Sequence, residues 1–493
     1  MYAIKGKTCD WELVIGLETH IEVLSESKLF SGASADYNPA VPPNTQVSFV
    51  DAAMPGMLPV LNRECVGQAI RMGLGLNAEI SRRSRFARKQ YFYPDLPQGY
   101  QISQPAEEPP IVGRGWVEIA GDDGKPKKIL VLRAHLEQDA GKNKHDAHPS
   151  KTFTDLNRSG VALLEIVTFL DTAPGAENSF ITSPDEAERY LREIRSVART
   201  LGVSNANMEE GSMRADVNVS VRPAGERTFR TRTETKNMVS FKFIKTAIEY
   251  EARRQIEIYE SGGTVSQDTM RYNQGDGTTS VMRSKEDALD YRYFPDPDLL
   301  PLIVTDEEIE DARRAMPELP AARKARYAAM GLAPADANRI GDDRDLYDFF
   351  DAAVGGAPAR AKTVANWMLG ALAANPEYEM KPAYLAELAD MISSDEINSK
   401  IAKDIFAKML DGETGGPREI AERRGLGQTA DAGAVESAVD KVLAGNADAV
   451  AQYKAGKAGL LGFFVGAVMK ETAGKANPKT VNELLAKKLK GEK

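Results

Sequence analysis

The sequence lacks the features on which several classes of protein depend. Only Cys9 and Cys65 occur among 493 residues, so neither a disulfide framework nor a cysteine-based zinc site can be built. The longest apolar run, at residues 458–469, is too short to cross a bilayer, and the opening segment contains no apolar signal core. These absences predict a cytoplasmic protein that does not act in a membrane.

Familiar nucleotide and nucleophile motifs are also missing. There is no GxxxxGK[ST] phosphate loop, and MGLGLNAE at residues 72–79 follows no strand pattern, so it indicates the end of a helix and not a dinucleotide site. No serine–histidine or cysteine–histidine pair can be identified, which leaves covalent acyl chemistry unsupported. The formal charge of −9 argues against binding to nucleic acid by net charge, although local basic faces remain possible, and DNA is not an expected partner.

The pattern of the chain changes near residue 300. Before that point, alternating strand patterns dominate with inserted helices, and after it the sequence is rich in alanine and typical of short helices. Pro295 and Pro301 mark the change, and Thr305 with Glu308 predicts a capping box at the start of a helix. A similar signature, Ser183 followed by Pro184, predicts an earlier helix.

Two later segments rich in glycine and proline, at residues 355–359 and 411–417, are the best candidate linkers. The sequence therefore predicts an α+β protein with antiparallel strands in its first part. We expect three domains: residues 1–300, residues 301–411 and residues 412–493.

The stretch VIGLETHIEV contains the first candidate site residues. Between Leu13 and Val23 the odd positions are mostly apolar, and the even positions include Glu18, His20 and Glu22, which predicts a strand with one buried face. Glu18 and His20 share the polar face, and residues two apart on a strand lie roughly 7 Å from each other, close enough to bind one ligand. The alternative is an ordinary solvated strand face.

Three more strand patterns place charged residues on one face. The segments MRADVNVSVRP and FRTRTETKN predict a β-hairpin, and ILVLRAHLEQDAG predicts another strand. Their polar faces carry Arg214, Asp216, Glu234 and Lys236 from the hairpin and Arg133, His135, Glu137 and Asp139 from the third strand. Carboxylates among basic groups suit a phosphate-bearing ligand with Mg²⁺ or Mn²⁺. Carboxylates acting alone as general acid and base remain an alternative.

Two regions have the composition of nucleic-acid contacts. Basic residues are concentrated between Arg82 and Lys89, just before the aromatic residues of YFYPDLPQGY, and such mixtures hold single-stranded ends by charge and stacking. Residues 451–493 contain nine lysines against three glutamates, a composition that attracts a phosphate backbone. The alternatives are a basic loop followed by buried aromatics, and solvated helix ends. The candidate contacts are Tyr91, Tyr93, Tyr100, Lys454, Lys457 and Lys475.

These motifs together resemble a known family. VIGLETHIE, RKQYFYPDLPQGYQISQ, DLNRSGVALLEIV, MEEGSMRADVNVSVRP, TETKNMVSFK and DYRYFPDPDLLPL are similar, in order and spacing, to the B-subunit family of the bacterial aspartyl/glutamyl-tRNA amidotransferases. The C-terminal YKAGKAGLLGFFVGAVMKETAGKANP resembles the tail domain of that family. The resemblance therefore covers essentially the whole chain.

The resemblance implies a ligase that works in a heterotrimer with a glutaminase A subunit and a small C subunit. ATP would phosphorylate the side-chain carboxylate of misacylated Glu-tRNA(Gln), Asp-tRNA(Asn) or both, and ammonia released from glutamine by the A subunit would then displace phosphate. The family fold is a cradle-like β-rich domain, a helical domain and a helical tail that contacts tRNA. Two alternatives remain open: a non-catalytic tRNA-binding scaffold, and a metal-dependent hydrolase that uses neither ATP nor tRNA.

The resemblance also assigns roles to residues. The implied catalytic and metal-binding residues are Glu18, His20, Glu137 and Glu234, with Mg²⁺ or Mn²⁺ as the metal. The candidates for binding ATP are Arg214, Asp216 and Lys236, of which Arg214 and Lys236 would stabilise phosphate, although simple ion pairs with Asp216 and Glu234 are the alternative. Two positions depart from the family pattern, because Gln138 replaces a residue that is often acidic and Ala162 replaces a proline.

Overall fold

The chain divides into two compact units, Met1–Ala322 and Arg323–Lys493. The computed structural model describes residues 2–105, 107–145, 148–171, 179–283, 291–426, 432–457, 459–472 and 476–490. Within these residues every strand lies in the first unit, and most helices lie in the second. The predicted change from a β-rich first part to a helical remainder is confirmed. The finer domain bounds at residues 300 and 411 stay predictions.

The first unit contains both strands and helices. Its strands are β1 (Ala3–Lys5), β2 (Asp10–Glu22), β3 (Arg83–Ser84), β4 (Ala87–Gln90), β5 (Tyr100–Ser103), β6 (Gly115–Ala120), β7 (Pro126–Gln138), β8 (Lys142–Lys144), β9 (Phe153–Asp155), β10 (Ala162–Thr168), β11 (Met213–Pro223), β12 (Thr233–Lys236), β13 (Thr269–Asn273), β14 (Thr278–Arg283), β15 (Phe294–Pro295) and β16 (Leu302–Ile303). Its helices are α1 (Arg63–Gly75), α2 (Pro184–Thr200), α3 (Phe241–Glu260) and α4 (Asp306–Arg314).

Twelve of these strands form one sheet. Its order is β14-β13-β12-β11-β2-β10-β7-β5-β4-β15, with β1 beside β2 and β6 beside β7. The expectation of antiparallel strands holds for the described pairs of this sheet except β12 and β13, which are parallel. A parallel pair needs a long crossover connection, and α3 provides it between these two strands. The sheet is therefore mixed.

The caps predicted for two helices are present. The Ser183 hydroxyl accepts a hydrogen bond from the Glu186 amide at 3.1 Å, at the start of α2. Thr305 and Glu308 form the reciprocal capping box of α4. Each pair satisfies amide groups that the first helical turn leaves without partners, so these helices begin where the sequence predicts.

The hydrophobic core of the first unit lies against one face of the sheet. Alternate residues of β2, among them Ile15, Leu17 and Ile21, are fully buried, and they pack with apolar residues of α1 and α2. Because successive side chains of a strand point to opposite faces, this packing directs the even-numbered residues of β2 to the other face. That second face carries the candidate site.

All the regular secondary structure described in the second unit is helical. The chain forms α5 (Pro320–Ala329), α6 (Pro334–Gly341), α7 (Arg344–Val354), α8 (Ala361–Trp367), α9 (Pro382–Ser393), α10 (Ser399–Leu410), α11 (Pro417–Arg424), α12 (Ala432–Gly445), α13 (Ala447–Lys454), α14 (Leu460–Glu471) and α15 (Pro478–Lys490). Two hydrophobic cores are present, one built by residues of α5 to α11 and the other by residues of α12 to α15. None of the described helices, in either unit, is long and apolar enough to cross a membrane.

Candidate active site

The register of four strands aligns the polar side chains of the sheet. His20 on β2 lies opposite Glu165 on β10 and opposite Arg214 on β11. Glu165 in turn lies opposite His135 on β7. Glu18, two residues before His20, lies opposite Asp216. Side chains at directly opposed positions share a face of the sheet, so these residues meet although they are far apart in the sequence.

The first acidic group consists of His20, Glu137 and Glu165. One potential ligand atom from each lies within 4.8 Å of the others. The Nε2 atom of His20 is 3.3 Å from a carboxylate oxygen of Glu165. His135 lies beside the group, with its Nε2 atom 3.6 Å from Glu137 and 3.5 Å from Glu165. The Ser103 hydroxyl donates a hydrogen bond to Glu137 at 3.1 Å.

Charges within the first acidic group control its protonation. Burial by itself would lower the pKa of His20, but the hydrogen-bonded carboxylate of Glu165 outweighs burial and raises it. Burial opposes ionisation of Glu165, yet the neighbouring His135 and His20 hold the pKa of this carboxyl well below its usual range. Burial also opposes ionisation of Glu137, and the hydrogen bond with His135 nevertheless keeps its pKa low. The two carboxyl groups are therefore ionised at neutral pH.

The second acidic group consists of Glu18, Asp216 and Glu234, with ligand atoms that also lie within 4.8 Å of one another. The Lys236 ammonium lies between two of them, 2.6 Å from Asp216 and 2.9 Å from Glu234. Burial would lower the pKa of Lys236, but the charges of Asp216 and Glu234 raise it. The Asn218 amide donates to Glu18 at 3.1 Å. Burial, followed by the charges of Glu165 and Glu234, raises the pKa of Glu18.

Arg214 forms an ion pair with Asp139 on the sheet face that carries the two acidic groups. Its guanidinium lies 2.6 Å from Asp139, and this carboxylate raises the pKa of Arg214. Burial opposes ionisation of Asp139, but Arg214 and Arg158 lower its pKa to about 2. Burial and the charge of Asp139 raise the pKa of neighbouring Glu22 to about 9, so Glu22 is protonated at neutral pH.

The aromatic residues near the site differ in exposure. Tyr93 is exposed, whereas Tyr91 packs edge-on against Tyr93 with ring centroids 5.8 Å apart. Burial, followed by the charge of Glu137, raises the pKa of the Tyr91 hydroxyl. The guanidinium of Arg88 covers the Tyr100 ring at 4.3 Å. Of the three predicted tyrosines, Tyr93 is therefore the most available for stacking.

Sequence reasoning missed two residues of this face. Glu165 was not predicted, although it is a single carboxylate in the apolar strand pattern ALLEIVT, and that pattern is a usable signal. Lys89 was predicted only as part of the basic segment and not as a residue of this site. Its ammonium lies 4.9 Å from the centre of the Tyr291 ring, and the negative charge of Glu137 raises its pKa against the effect of burial. A strand of the hairpin also starts later than predicted, so Arg230 lies before β12 and pairs with Glu226 at 2.8 Å.

The four predicted metal residues belong to two groups. His20 and Glu137 lie in the first, and Glu18 and Glu234 lie in the second. Their role as ligands stays a prediction. Gln138 lies outside both groups, because its side-chain amide donates to Gln98 at 2.7 Å.

The predicted tail contacts are partly described. Lys454 ends α13 and is exposed, and Lys457 is exposed and donates to the side chain of Gln452 at 3.0 Å. Lys475 lies outside the described residues. Binding of tRNA by these lysines stays a prediction.

The mixed sheet carries two carboxylate-rich groups beside lysine and arginine, which are side chains of the kinds that bind metal ions and phosphate. Comparison with known families shows the family to which the chain belongs. Residues 13–310 match the model described as the GatB/GatE catalytic domain, and residues 348–489 match the GatB domain. The chain belongs to the GatB/GatE family.

Curated relatives match the chain over its full length. A protein of Acidiphilium cryptum (strain JF-5) is 53% identical over 498 residues, covering 99% of both chains. Proteins of Gluconobacter oxydans (strain 621H) and Rhodospirillum rubrum are each 52% identical, covering 99% of this chain and 99% and 100% of their own. Each relative is named as the B subunit of an aspartyl/glutamyl-tRNA(Asn/Gln) amidotransferase.

Proposed function

We propose that this chain is the B subunit of a glutamine-dependent tRNA amidotransferase, a ligase that forms a carbon–nitrogen bond at the expense of ATP. The observation that carries the proposal is the pair of acidic groups on one sheet face, in a chain that belongs to the GatB/GatE family. The substrates would be misacylated Glu-tRNA(Gln), Asp-tRNA(Asn) or both. The first unit would form the cradle-like catalytic domain of the family.

The side chains present fit a hard divalent cation. Each acidic group offers carboxylate oxygens, and the first adds one imidazole nitrogen, a donor set that suits Mg²⁺ or Mn²⁺. His20, Glu137 and Glu165 would hold one cation, and Glu18, Asp216 and Glu234 would hold another. A bound Mg²⁺ would neutralise the negative charge of ATP phosphates.

The reaction requires activation because a carboxylate is a poor electrophile. An oxygen of the substrate carboxylate would attack the terminal phosphorus of ATP, which gives an acyl phosphate and ADP. Ammonia would then attack the acyl carbon, and inorganic phosphate would leave. Lys236 and Arg214 are two cations of this face. Each would bind phosphate oxygens after exchanging a carboxylate partner for phosphate.

The remaining contacts would bind tRNA and partner subunits. Tyr93 would stack on the terminal base, with Tyr91 and Tyr100 as supports, and exposed lysines of the tail would contact the phosphate backbone. We expect a cytoplasmic heterotrimer in which a glutaminase A subunit supplies ammonia and a small C subunit completes the assembly.

The decisive experiment is an assay of the reconstituted three-subunit complex with each misacylated tRNA, following both phosphate release and amide formation. Loss of ATP turnover in Glu18→Gln and Glu234→Gln variants that still bind tRNA would support catalysis in this chain. Unchanged turnover in both variants would favour the scaffold alternative. Turnover of a substrate without ATP and tRNA would favour the hydrolase alternative.

A further inference from the structure

Arg133 on β7 lies on the sheet face that carries the two acidic groups. It stands two residues before His135 and four before Glu137, and the pairing of β7 with β10 has no bulge between Arg133 and Gln138. Because side chains alternate along a strand, Arg133 and Glu137 point to the same face. The face therefore holds a further cation close to the first acidic group.

The strand register places Arg133 near the second acidic group as well. Arg133 lies opposite Val167 of β10, and Val167 lies opposite Glu18 of β2. Neighbouring strands are about 4.8 Å apart, so the backbones of Arg133 and Glu18 are roughly 10 Å apart in one row. Glu165 of the first group stands two residues before Val167 on the same strand. A small group bound above this valine would therefore lie next to one carboxylate of each acidic group.

Arg133 has no carboxylate partner in the described part of the chain. Its Nε atom is buried and forms no hydrogen bond there. Arg214 and Lys236, by contrast, each lie 2.6 Å from a carboxylate. A buried donor without an acceptor is unfavourable, especially on a charged group. The guanidinium is therefore available to an anion from outside the chain.

The surroundings of the guanidinium favour one anion of the reaction. Its planar N–H donors match the paired oxygens of a carboxylate or a phosphate. The phosphates of ATP would already be neutralised by a bound cation and by Lys236 and Arg214. The side-chain carboxylate of the misacylated residue would instead bring its charge to a face that holds Glu18 and Glu165, and like charges at short distance repel. This carboxylate is the anion that needs the charge of Arg133.

We propose that Arg133 binds the side-chain carboxylate of the amino acid on misacylated tRNA and holds it for phosphorylation. The inference rests on the proposed function. The guanidinium contacts one carboxylate oxygen. The other oxygen attacks the terminal phosphorus of ATP, while the bond from that phosphorus to ADP breaks.

The same contact acts in the second step of the reaction. The oxygen that Arg133 contacts becomes the carbonyl oxygen of the acyl phosphate. When ammonia attacks the acyl carbon, negative charge develops on this oxygen, and Arg133 stabilises the charge without exchanging a proton. Inorganic phosphate then leaves, and the attacking nitrogen loses a proton to it.

The first test measures how each substrate is used. We would reconstitute the three-subunit complex with Arg133→Met, which removes the charge, and with Arg133→Lys, which keeps it. We expect kcat/KM for misacylated tRNA to fall roughly 100-fold in Arg133→Met, because a charge-assisted contact to the reacting group is lost. Arg133→Lys should lower it about tenfold, because an ammonium lacks the planar pair of donors. The KM for ATP and the inhibition constant of deacylated tRNA should change less than about threefold, because neither ligand has the side-chain carboxylate.

The matched control is Lys128→Met. It removes one positive charge from an exposed position of the same strand, five residues from Arg133 and therefore roughly 17 Å away. This variant should keep kcat/KM for misacylated tRNA within about threefold of the wild-type value. An equal loss in Lys128→Met and Arg133→Met would overturn the inference, since the net charge of the strand would then explain both.

The second test restores the missing group. Arg133→Ala leaves an opening for a guanidinium ion, and guanidinium chloride at roughly 20 mM is far below denaturing concentrations. We expect this addition to raise the rate of amide formation by Arg133→Ala at least tenfold, whereas sodium chloride at the same concentration should not raise it. Since rescue requires a folded complex, it separates contact with the substrate from a structural role.

Three further outcomes have definite meanings. Unchanged kcat/KM for misacylated tRNA in Arg133→Met would overturn the inference, and so would a raised KM for ATP alone, because Arg133 would then bind phosphate. Weakened binding of deacylated tRNA without rescue by guanidinium would also overturn it, because the residue would then serve the structure. Absence of amide formation by the wild-type complex with either misacylated tRNA would instead refute the proposed function.

Discussion

Charged residues are arranged in opposite ways on the sheet of the first unit and on the last four helices of the second. On the sheet, carboxylates and cations are largely buried and neutralise one another at short distance, as Lys236 does between Asp216 and Glu234. On helices α12 to α15, most lysines are exposed, and the ion pairs they form, such as Lys441 with Glu471, are exposed as well. Buried charges attract one another strongly, because little water lies between them and their distances are fixed by the fold. Exposed charges attract one another weakly, because water and salt screen them.

This difference predicts that the sheet and the last four helices serve separate functions, and experiments can distinguish the two. Changes on the sheet should alter the chemical rate and leave the salt dependence of tRNA binding unchanged. Changes on the last helices should alter tRNA binding and its salt dependence, and leave the rate at saturating tRNA unchanged. Three predictions test this division and a further one tests the strength of a buried charge, in order from the largest expected effect to the smallest.

The largest effect should come from the sheet. We expect Glu18→Gln and His20→Ala to lower tRNA-dependent ATP hydrolysis by the reconstituted complex at least roughly 10³-fold, because each would lose a proposed ligand of the cation that neutralises phosphate charge. Phosphate release at saturating tRNA is the measurement. The matched control is Glu12→Gln on the same strand and face, whose partner is Arg222 at 3.3 Å, outside both acidic groups. Near-normal phosphorylation in both active-site variants would contradict the assignment of the metal residues.

Removal of the last four helices should have the second-largest effect. A cut at Asn446 would leave α12 without the residues of α14 and α15 that complete its core, so the structure favours ending the chain at Leu426 instead. We expect this truncation to weaken tRNA binding roughly 10- to 100-fold at moderate salt. Filter binding at several salt concentrations would measure it, with circular dichroism as the folding control. A lowered ATPase rate at saturating tRNA would break the proposed division.

A third prediction compares a buried with an exposed carboxylate. Glu251 on α3 is fully buried and accepts hydrogen bonds from Thr233 at 2.7 Å and Thr279 at 2.9 Å, besides pairing with Arg254. Glu251→Gln should lower the free energy of unfolding at pH 7 by about 2 kcal/mol, because buried donors lose a charged acceptor. Urea denaturation followed by circular dichroism would measure this value.

The effect of Glu251 should depend on pH with a definite sign. Burial would raise the pKa of Glu251, but the bonds from Arg254 and Thr233 outweigh it, and the pKa in the folded chain lies below the ordinary value. The stabilisation is therefore complete above the unfolded-state pKa of about 4.3, and disappears as pH falls through the folded-state value. The difference between variant and wild type should shrink in that acidic range. The exposed control, Glu471→Gln, should show no measurable change at pH 7.

The sequence alone was enough to predict which residues share a face on several strands of the sheet. Alternation on β2, β7 and β11 placed Glu18, His20 and Glu137 on polar faces, because the period of a strand is two residues whatever its neighbours are. The caps of α2 and α4 were likewise predictable, since a cap involves residues only three positions apart.

The order of strands was not predictable from alternation. The division of the acidic residues into two groups follows from β2 lying between β10 and β11, and that order is set by tertiary packing. For the same reason Glu165 was missed, because its strand is otherwise apolar and only the pairing with β2 brings it to His20. The parallel pairing of β12 with β13 depends on the crossover through α3. Alternation within a strand cannot predict such a crossover.

The smallest effect should come from single lysines of the last four helices and the adjoining loop. It tests most directly whether exposed charges there bind tRNA. Lys454 and Lys457 are exposed, and in the described part of the chain neither forms an ion pair with a carboxylate, whereas Lys488 lies 2.9 Å from Glu436 and 2.5 Å from Asp440. A lysine that contacts a phosphate releases about one condensed counterion, so its loss lowers the slope of log affinity against log salt by about 0.7 to 0.9.

Lys454→Ala and Lys457→Ala should therefore each reduce this slope by a little less than one, and the double variant by nearly twice as much. Lys488→Ala is the matched control, because its charge is already compensated on the protein and its removal should leave the slope unchanged. The measurement is tRNA affinity of the complex between roughly 50 and 200 mM salt, where phosphate contacts dominate the change. Equal slopes for all variants and wild type would show that these lysines do not contact tRNA, and the last four helices would then serve packing or assembly instead.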